Sequence, residues 1–595
     1  MKITKLTLTN FRSFQRSQTI EFAPVTLLFG PNSVGKSSVL MGLFYLHHLL
    51  KTGECSPVRI EGLNNKYIGG FKNLIHGRDL TEAMVIRLDF DKHDTIGSNY
   101  SELAELFEDF DLILESPSTV SRQVGVEFEI RWSESRETAY VAKYRVLLEG
   151  ALIAELTSDA GLKQPTISYI NYVHPLLLPD NHNEWVLDAF ENELPLHPEN
   201  KSILLELLEV SSTDTRAINH GAEPLDEING KPLMFSEDAF VSEFHQQLNE
   251  SRGQLVRYLD SGIDDPDESI LSLHHIPISF SGISGALPKL GRKLVLSLDL
   301  NIDDDVIDTS DEISASKKLT LFEARATEIL SDIIVAPLDD LLKLLEQSLC
   351  IGPLRVVPDE QFHLDSNYKQ GQWYNGEAAW HSLLNADKRL LDEINSWLFQ
   401  KNRLNLDYGL ALRKTKAITE VSILSAQANS SPEAKYQLPR GYNEYFRVAL
   451  WDEINQLDVA PNEVGAGISQ LMPLVVAALS RKRGLIACEQ PELHIHPRVQ
   501  VAVADLLTQA TDAPQFLIET HSEHLILRLL KRVRQTTDEE LPDELKPVIA
   551  SNISIVCLEP SENGAVVRQV RVNEDGEFTS RWPRGFFSER REELM

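Results

Sequence analysis

Residues 30–38 read Gly30-Pro31-Asn32-Ser33-Val34-Gly35-Lys36-Ser37-Ser38, a full match to G-x4-G-K-[ST]. On the N-terminal side, TIEFAPVTLLFG (19–30) reads as one strand, and on the C-terminal side SSVLMGLFYLHHLL (37–50) reads as a helix. A glycine-rich turn in that position lets backbone N–H groups face a phosphate, and the helix N-terminus adds a favourable dipole. Lys36 is then expected to reach the β and γ phosphates, and the Ser37 hydroxyl to ligate Mg²⁺. Residues Gly30 to Ser38 are therefore expected to hold ATP with Mg²⁺.

Outward from this stretch, MKITKLTLTNF (1–11) carries Ile3, Leu6 and Leu8 on one face and predicts a strand, as does MVIRLDF (84–90). The middle of the chain mixes strand-like pieces with acidic clusters. The first are VGVEFEIRW (124–132), KYRVLLE (143–149) and KLVLSLDL (293–300); the second are FEDFDLILE (107–115), DDPDE (264–268) and DDDVID (303–308). Heptads are absent there, which disfavours a coiled-coil arm. Near the C-terminal end, helix and strand signals alternate. QLMPLVVAALSRKR (470–483), PRVQVAVADLLTQA (497–510) and EHLILRLLKRVRQ (523–535) predict helices, and GLIACE (484–489) and QFLIET (515–520) predict buried strands. Such alternation predicts a parallel sheet covered on both faces. The expected fold class is α/β: a P-loop head in two halves, residues 1–90 and 346–595, split by an inserted acidic α+β domain at 91–345.

Composition narrows the function classes. The 595 residues are 42% hydrophobic and 25% charged, which excludes a wholly disordered or collagen-like chain. Cys55, Cys350, Cys488 and Cys557 lie far apart with no CxxC pair, so neither a disulfide framework nor a zinc cluster is indicated. The charged start lacks the apolar core of a secretory signal, and no apolar run approaches the ~18 residues of a membrane span. A cytoplasmic protein without membrane contact is expected. The net charge of −32, taken as a total, argues against nucleic acid. However, residues 91–330 hold 45 acids and 18 bases, a net of −27, which leaves only −5 elsewhere. The acidity belongs to the middle of the chain, and DNA at the two ends stays open.

A second group of motifs lies over 400 residues downstream. Asn462-Glu463-Val464-Gly465-Ala466-Gly467-Ile468-Ser469-Gln470 precedes a helix, LIACEQPE (485–492) is an apolar strand ending in acids, and the next strand ends Glu519-Thr520-His521-Ser522. With the opening I-x-x-L-x-L-x-N-F-R-S-F (3–14), this order resembles the split ABC-type ATPase heads of the RecF/Rad50/OLD branch, OLD being the overcoming-lysogenisation-defect ATPases. The ending WPRGFFSERREEL and the phrase IGPLRVVP (351–358) resemble a bacterial subgroup of these AAA-type proteins.

The resemblance implies that Arg12 sits near the nucleotide and that Gly465, Gly467 and Ser469 cap the γ-phosphate held by a second copy, giving an ATP-sandwiched homodimer, with a higher oligomer left open. It implies a switch role for His521 and places Arg355 in the head core. Each has a bland reading: Ser469-Gln470 as a helix N-cap, His521 as a strand-end histidine, and Arg12 as a solvated arginine. His494, His496 and His524 are read as structural, because no ligand set completes a metal shell. The basic run Arg528, Lys531, Arg532, Arg534 is read as a solvated helix face more than a DNA contact.

Two positions depart from the family pattern. Where such heads end the acidic strand in Asp-Glu, this chain has Glu489 and Gln490. Glu489 can serve Mg²⁺, but Gln490 can only orient a water, and Glu492 is the nearest substitute carboxylate. No glutamine occurs between 38 and 122, so Asn73 and His76 are the nearest candidates for the usual metal-sensing glutamine. Slow hydrolysis is expected. Three readings follow: a regulatory ATPase of a genome-defence system acting on a separate nuclease-like effector, a DNA-binding repair ATPase using Arg481, Lys482, Arg483 and the 528–534 helix, or a non-hydrolysing nucleotide-binding scaffold.

Overall fold

The computed structural model describes residues 1–92, 100, 117–160, 165–171, 276–277, 285–295, 327–417, 443–510 and 514–580. The three acidic clusters, residues 296–300 of KLVLSLDL and the WPRGFFSERREEL ending lie outside these residues. The chain divides into two compact units: residues 1–19, 46–58 and 69–343 form one, and residues 20–45, 59–68 and 344–595 the other.

The first unit is built on an eight-stranded sheet. Lys2–Thr9 pairs antiparallel with Met84–Asp91, which pairs with Gln123–Ser133, followed by Thr138–Leu148, Ala151–Thr157 and Thr166–Ile170. Met84–Asp91 alternates buried and half-buried positions, the period-two signature of a strand with one face on a core. The sheet runs across residue 90 without interruption, so the strands of 1–90 and those of 123–170 are one hydrogen-bonded structure.

The second unit carries a six-stranded sheet: β1 (Val25–Phe29), β2 (Leu349–Ile351), β3 (Leu485–Glu489), β4 (Gln515–Glu519), β5 (Ile553–Ser561) and β6 (Gly564–Val570). Their spatial order is β2-β3-β4-β1-β5-β6, parallel except for the β5–β6 hairpin. All five residues of β1, β3 and β4 are buried, as expected for a sheet packed on both faces. The strand carrying the glycine-rich turn thus lies between strands from the far end of the chain, and the expected split α/β head is present.

Helices α1 (Lys36–Thr52), α2 (Ala466–Ser480), α3 (Pro497–Gln509) and α4 (Glu523–Thr537) follow the predicted stretches closely. The core gathers Leu27, Phe29, Leu474, Ile486, Leu506 and Ile518 from β1, β3, β4, α2 and α3. One expectation is corrected. TIEFAPVTLLFG is two strands, Gln18–Glu21 and Val25–Phe29, which join different sheets. Pro24 has no N–H to give a ladder, and Thr26 Oγ1 accepts from Ala23 N at 3.0 Å, closing a turn where one strand was expected.

The basic helix α4 is anchored from inside. Asp505 on α3 is 2% exposed and accepts from Arg528 Nη2 at 2.6 Å and from Arg532 Nε at 2.8 Å. Arg534 Nε donates to the Asp575 carbonyl at 3.0 Å. Three of the four cations of this run hold the helix to the protein, and Lys531 and Arg534 are exposed. Removing the central acid strands two guanidinium groups, one of them buried, at a cost of about 3–5 kcal/mol. Asp505→Ala is therefore expected to lower unfolding free energy by about that amount in chemical denaturation, whereas Lys531→Ala changes it by less than ~0.5 kcal/mol.

Candidate nucleotide-binding site

The loop Gly30–Gly35 leaves the buried end of β1 and leads into α1. Gly30 has φ +143°, and a Cβ there would lie 2.5 Å from the Leu558 carbonyl oxygen on β5, so only glycine fits. Gly35 (φ +122°) and Ser33 (φ +66°) are the other left-handed positions. Pro31, Asn32 and Ser33 are exposed at the loop tip, while Val34 is buried beneath it. Ser38 is buried, and its N–H donates to Gly35 O at 2.9 Å.

Lys36 is 4% exposed; its ammonium donates to Gly30 O at 2.8 Å and to Pro31 O at 3.0 Å, crossing the loop mouth. Burial lowers the Lys36 pKa, and the nearby Glu519 partly offsets this. Ser37 Oγ stands one residue on, at the start of a 17-residue helix. A tight left-handed loop, an amine at its mouth and a hydroxyl on the following helix turn fit a polyphosphate and a divalent cation. Gly30–Ser38 would hold ATP, and Ser37 with the neighbouring carboxylates would hold Mg²⁺, whose charge offsets that of the phosphates.

Three carboxylates, Glu489, Glu492 and Glu519, lie at or just after the ends of β3 and β4, and they differ in what they touch. Glu489 ends β3, is 7% exposed, and accepts from Tyr374 Oη at 3.3 Å, with Lys66 close enough to favour its charge. Glu519 ends β4, also 7% exposed; it accepts from Ser37 Oγ at 3.3 Å and lies 3.8 Å from Lys36 Nζ. Burial and then the charge of Glu489 push the Glu519 carboxyl up to about 7, against the pull of Lys36 and Ser37. Burial likewise raises Glu489 and Glu492.

Glu492 uses both oxygens locally, accepting from Thr520 Oγ1 at 2.8 Å and from His521 N at 2.6 Å. It holds the turn after β4. Gln490 adopts φ +45°, a left-handed conformation for a residue with a side chain, and its N–H donates to Glu519 O at 2.7 Å. Burial and the nearby Lys36 charge lower the His521 pKa, which favours a neutral imidazole.

Residues 1–122 and 361–526 match the family model described as an AAA ATPase domain. The chain contains an AAA ATPase domain. No curated protein sequence matches it significantly. Among solved structures, an SMC head bound to the C-terminal winged-helix domain of ScpA is 11% identical, with 96% of this chain and 98% of that one covered at a TM-score of 0.31. The SMC head domain from Thermotoga maritima is 10% identical over 96% and 100% at 0.31. The Smc head with coiled coil and joint from Pyrococcus yayanosii is 12% identical over 96% and 97% at 0.31. The ATPase domain extends past the matched residues, because β5 (Ile553–Ser561) pairs with β1 from Val25 to Phe29.

The glycine-rich turn Gly465–Gly467 opens α2. Gly467 is fixed by close approach: a Cβ there would collide with the His494 carbonyl. Gly465 is exposed and meets nothing within 4 Å. Ser469 is fully buried and its hydroxyl donates to Pro461 O at 2.5 Å, so its side chain is turned into the protein. Arg355, 5% exposed, ties this helix to the acidic strand: Nη1 donates to Gln470 O at 2.7 Å and Nη2 to Glu489 O at 2.8 Å. Gln470 Nε2 returns a bond to Arg355 O at 2.7 Å.

Other candidates have local roles. His496 Nδ1 accepts from Arg498 N at 3.2 Å, capping α3, and His494 occupies a left-handed turn position at φ +62°. His524 lies in the first turn of α4. Arg481 lies over the Trp373 ring, 5.3 Å from its centroid. In the first unit, Arg12 is exposed at φ +49°; its N–H donates to Leu74 O and its carbonyl contacts His76 Nδ1, both at 2.6 Å. Asn73 Nδ2 donates to Gly69 O at 3.3 Å.

Glu519, Tyr374, Lys66 and Thr520 are site residues that the motifs did not single out. Glu519 had a readable signal, since it ends the buried strand just before His521 and so falls at the same sheet edge as Glu489. Gly30→Ala is expected to weaken binding of a fluorescent ATP analogue roughly 10- to 100-fold, equivalent to 1–3 kcal/mol of backbone strain, with the circular dichroism spectrum unchanged. Unchanged affinity would mean that this loop does not carry the phosphates.

Proposed function

We propose that the chain is a cytoplasmic ATP-gated switch: it binds MgATP, pairs with a second copy through the nucleotide, and hydrolyses slowly. Gln490 carries the slow turnover. It stands where a proton-accepting carboxylate is needed, in a left-handed turn pinned by Glu519 O. Glu492 does not replace it, because both its oxygens are engaged by Thr520 and His521. A long-lived ATP state suits control of another protein better than repeated mechanical work.

The pairing surface includes the open face at Gly465, where backbone N–H groups can approach a phosphate on the partner. With Ser469 turned inward, the main chain of 465–467 supplies this contact in place of the hydroxyl. The motif order resembling OLD-type heads supports regulation of a separate nuclease-like effector in bacterial genome defence, docked on the acidic middle of the chain or on the head. The repair reading needs a free basic surface. Arg528 and Arg532 are spent on Asp505, Arg534 on the Asp575 carbonyl and Arg481 on Trp373, which weakens that reading.

Steady-state turnover is expected below about one per second, at the bottom of the usual enzyme range. Gln490→Glu should raise it at least about tenfold, in the range of general-base catalysis. Turnover of several per second that disappears on Glu492→Gln would overturn the slow-switch reading. Native mass measurement should show a dimer with MgATP and a monomer without it, and Lys36→Ala should stay monomeric in both.

A further inference from the structure

We infer that Glu519, and not Glu489, is the carboxylate that directly holds the metal ion in this head, and that through Ser37 and Lys36 it couples that ion to the phosphates. The inference rests on the nucleotide-binding reading above and assigns the metal role within it.

The argument begins with the order of strands. β4 lies between β3 and β1, so Glu519 pairs in register with Glu489 on one side and with Leu28 on the other. Adjacent strands are about 4.8 Å apart, which puts the end of β4 one strand from the loop-bearing strand and the end of β3 two strands away. A carboxylate binding Mg²⁺ directly needs an oxygen about 2.1 Å from the ion, and Ser37 needs its own oxygen at similar range. Two such ligands must lie close to each other. Glu519 Oε2 is 3.3 Å from Ser37 Oγ, a separation that two ligands of one octahedral ion can adopt with little motion. Glu489 has neither contact: its hydrogen bond is with Tyr374 Oη, and its neighbouring cation is Lys66.

The same contacts tie Glu519 to the loop. Glu519 Oε1 faces Lys36 Nζ at 3.8 Å, and the ammonium also spends two hydrogen bonds on the loop's own carbonyls. Lys36 and Ser37 are the two side chains that polyphosphate and metal must recruit. Exchanging one divalent cation for the Lys36 ammonium as the partner of Glu519 frees both at once, so nucleotide and metal are expected to bind in strong mutual dependence. Glu489 then acts at longer range, held by Tyr374 and Lys66.

The test uses the full chain and a fluorescent ATP analogue titrated with Mg²⁺, with Mn²⁺ and with EDTA. In wild type the metals should tighten binding. Glu519→Gln keeps the shape and the Ser37 contact; it should lose roughly 10- to 100-fold of the metal-dependent gain, while affinity in EDTA is unchanged or improved. Glu519→Asp, which keeps the charge but withdraws it by one methylene, should fall between them. Glu489→Gln should lose less than Glu519→Gln. Electron paramagnetic resonance of Mn²⁺ with the nucleotide should show the ion's environment altered by Glu519→Gln. The assignment is overturned if Glu519→Gln, folded by its thermal melt, retains the wild-type metal gain, or if Glu489→Gln alone abolishes it. Wild type that binds no nucleotide, with or without metal, would instead overturn the functional reading on which it rests.

Discussion

The head depends on one constraint: β1, five residues long, must be hydrogen-bonded along both edges by strands from the opposite end of the chain. β4 pairs with it on one side and β5 on the other, both parallel. Parallel strands cannot be joined by a tight turn, so the intervening chain has to travel and return. Everything at the candidate site follows from that pairing. The glycine-rich loop emerges beside the ends of β4 and β5. The Leu558 carbonyl forbids a side chain at Gly30, and Glu519 meets Ser37 across 482 residues of sequence.

Much of this was legible in the residues. The loop needed only local information, because glycine placement, a buried strand and an apolar helix all lie within about thirty positions. The helices and strands of the C-terminal part were equally plain from their periods and breaks. What the residues alone left hidden is of another kind. Pro24 divides a run that hydropathy joins, since the missing N–H matters more than the apolar character around it. Asp505 looks like an ordinary surface acid on an amphipathic helix until α4 brings two arginines over it. Glu492 looks like a spare catalytic carboxylate until Thr520 and His521 are seen to occupy it. The last two omissions concern which side chain faces which across separate elements, and no spacing rule encodes that.

Arg355 shows how a single buried side chain can give a sheet and a helix a common reference. Its guanidinium is a planar fork with several donors, so it can bond main-chain oxygens of α2 and of the β3 end together. A lysine ammonium, a compact point charge, lacks the planar fork that spans the two. The signature turn and the acidic strand are thus fixed relative to each other through backbone groups.

The order in which β1 acquires its neighbours bears on how the protein is made. Synthesis delivers Val25–Phe29 hundreds of residues before either flanking strand exists. An apolar strand with both edges open is a template for mispairing, and contacts this distant form slowly. The antiparallel strands from Lys2–Thr9 to Ala151–Thr157 can pair in the meantime, since their partners arrive within the first 160 residues. Maturation of the ATP site is therefore a late event, and truncation before residue 553 leaves β1 with one edge unpaired.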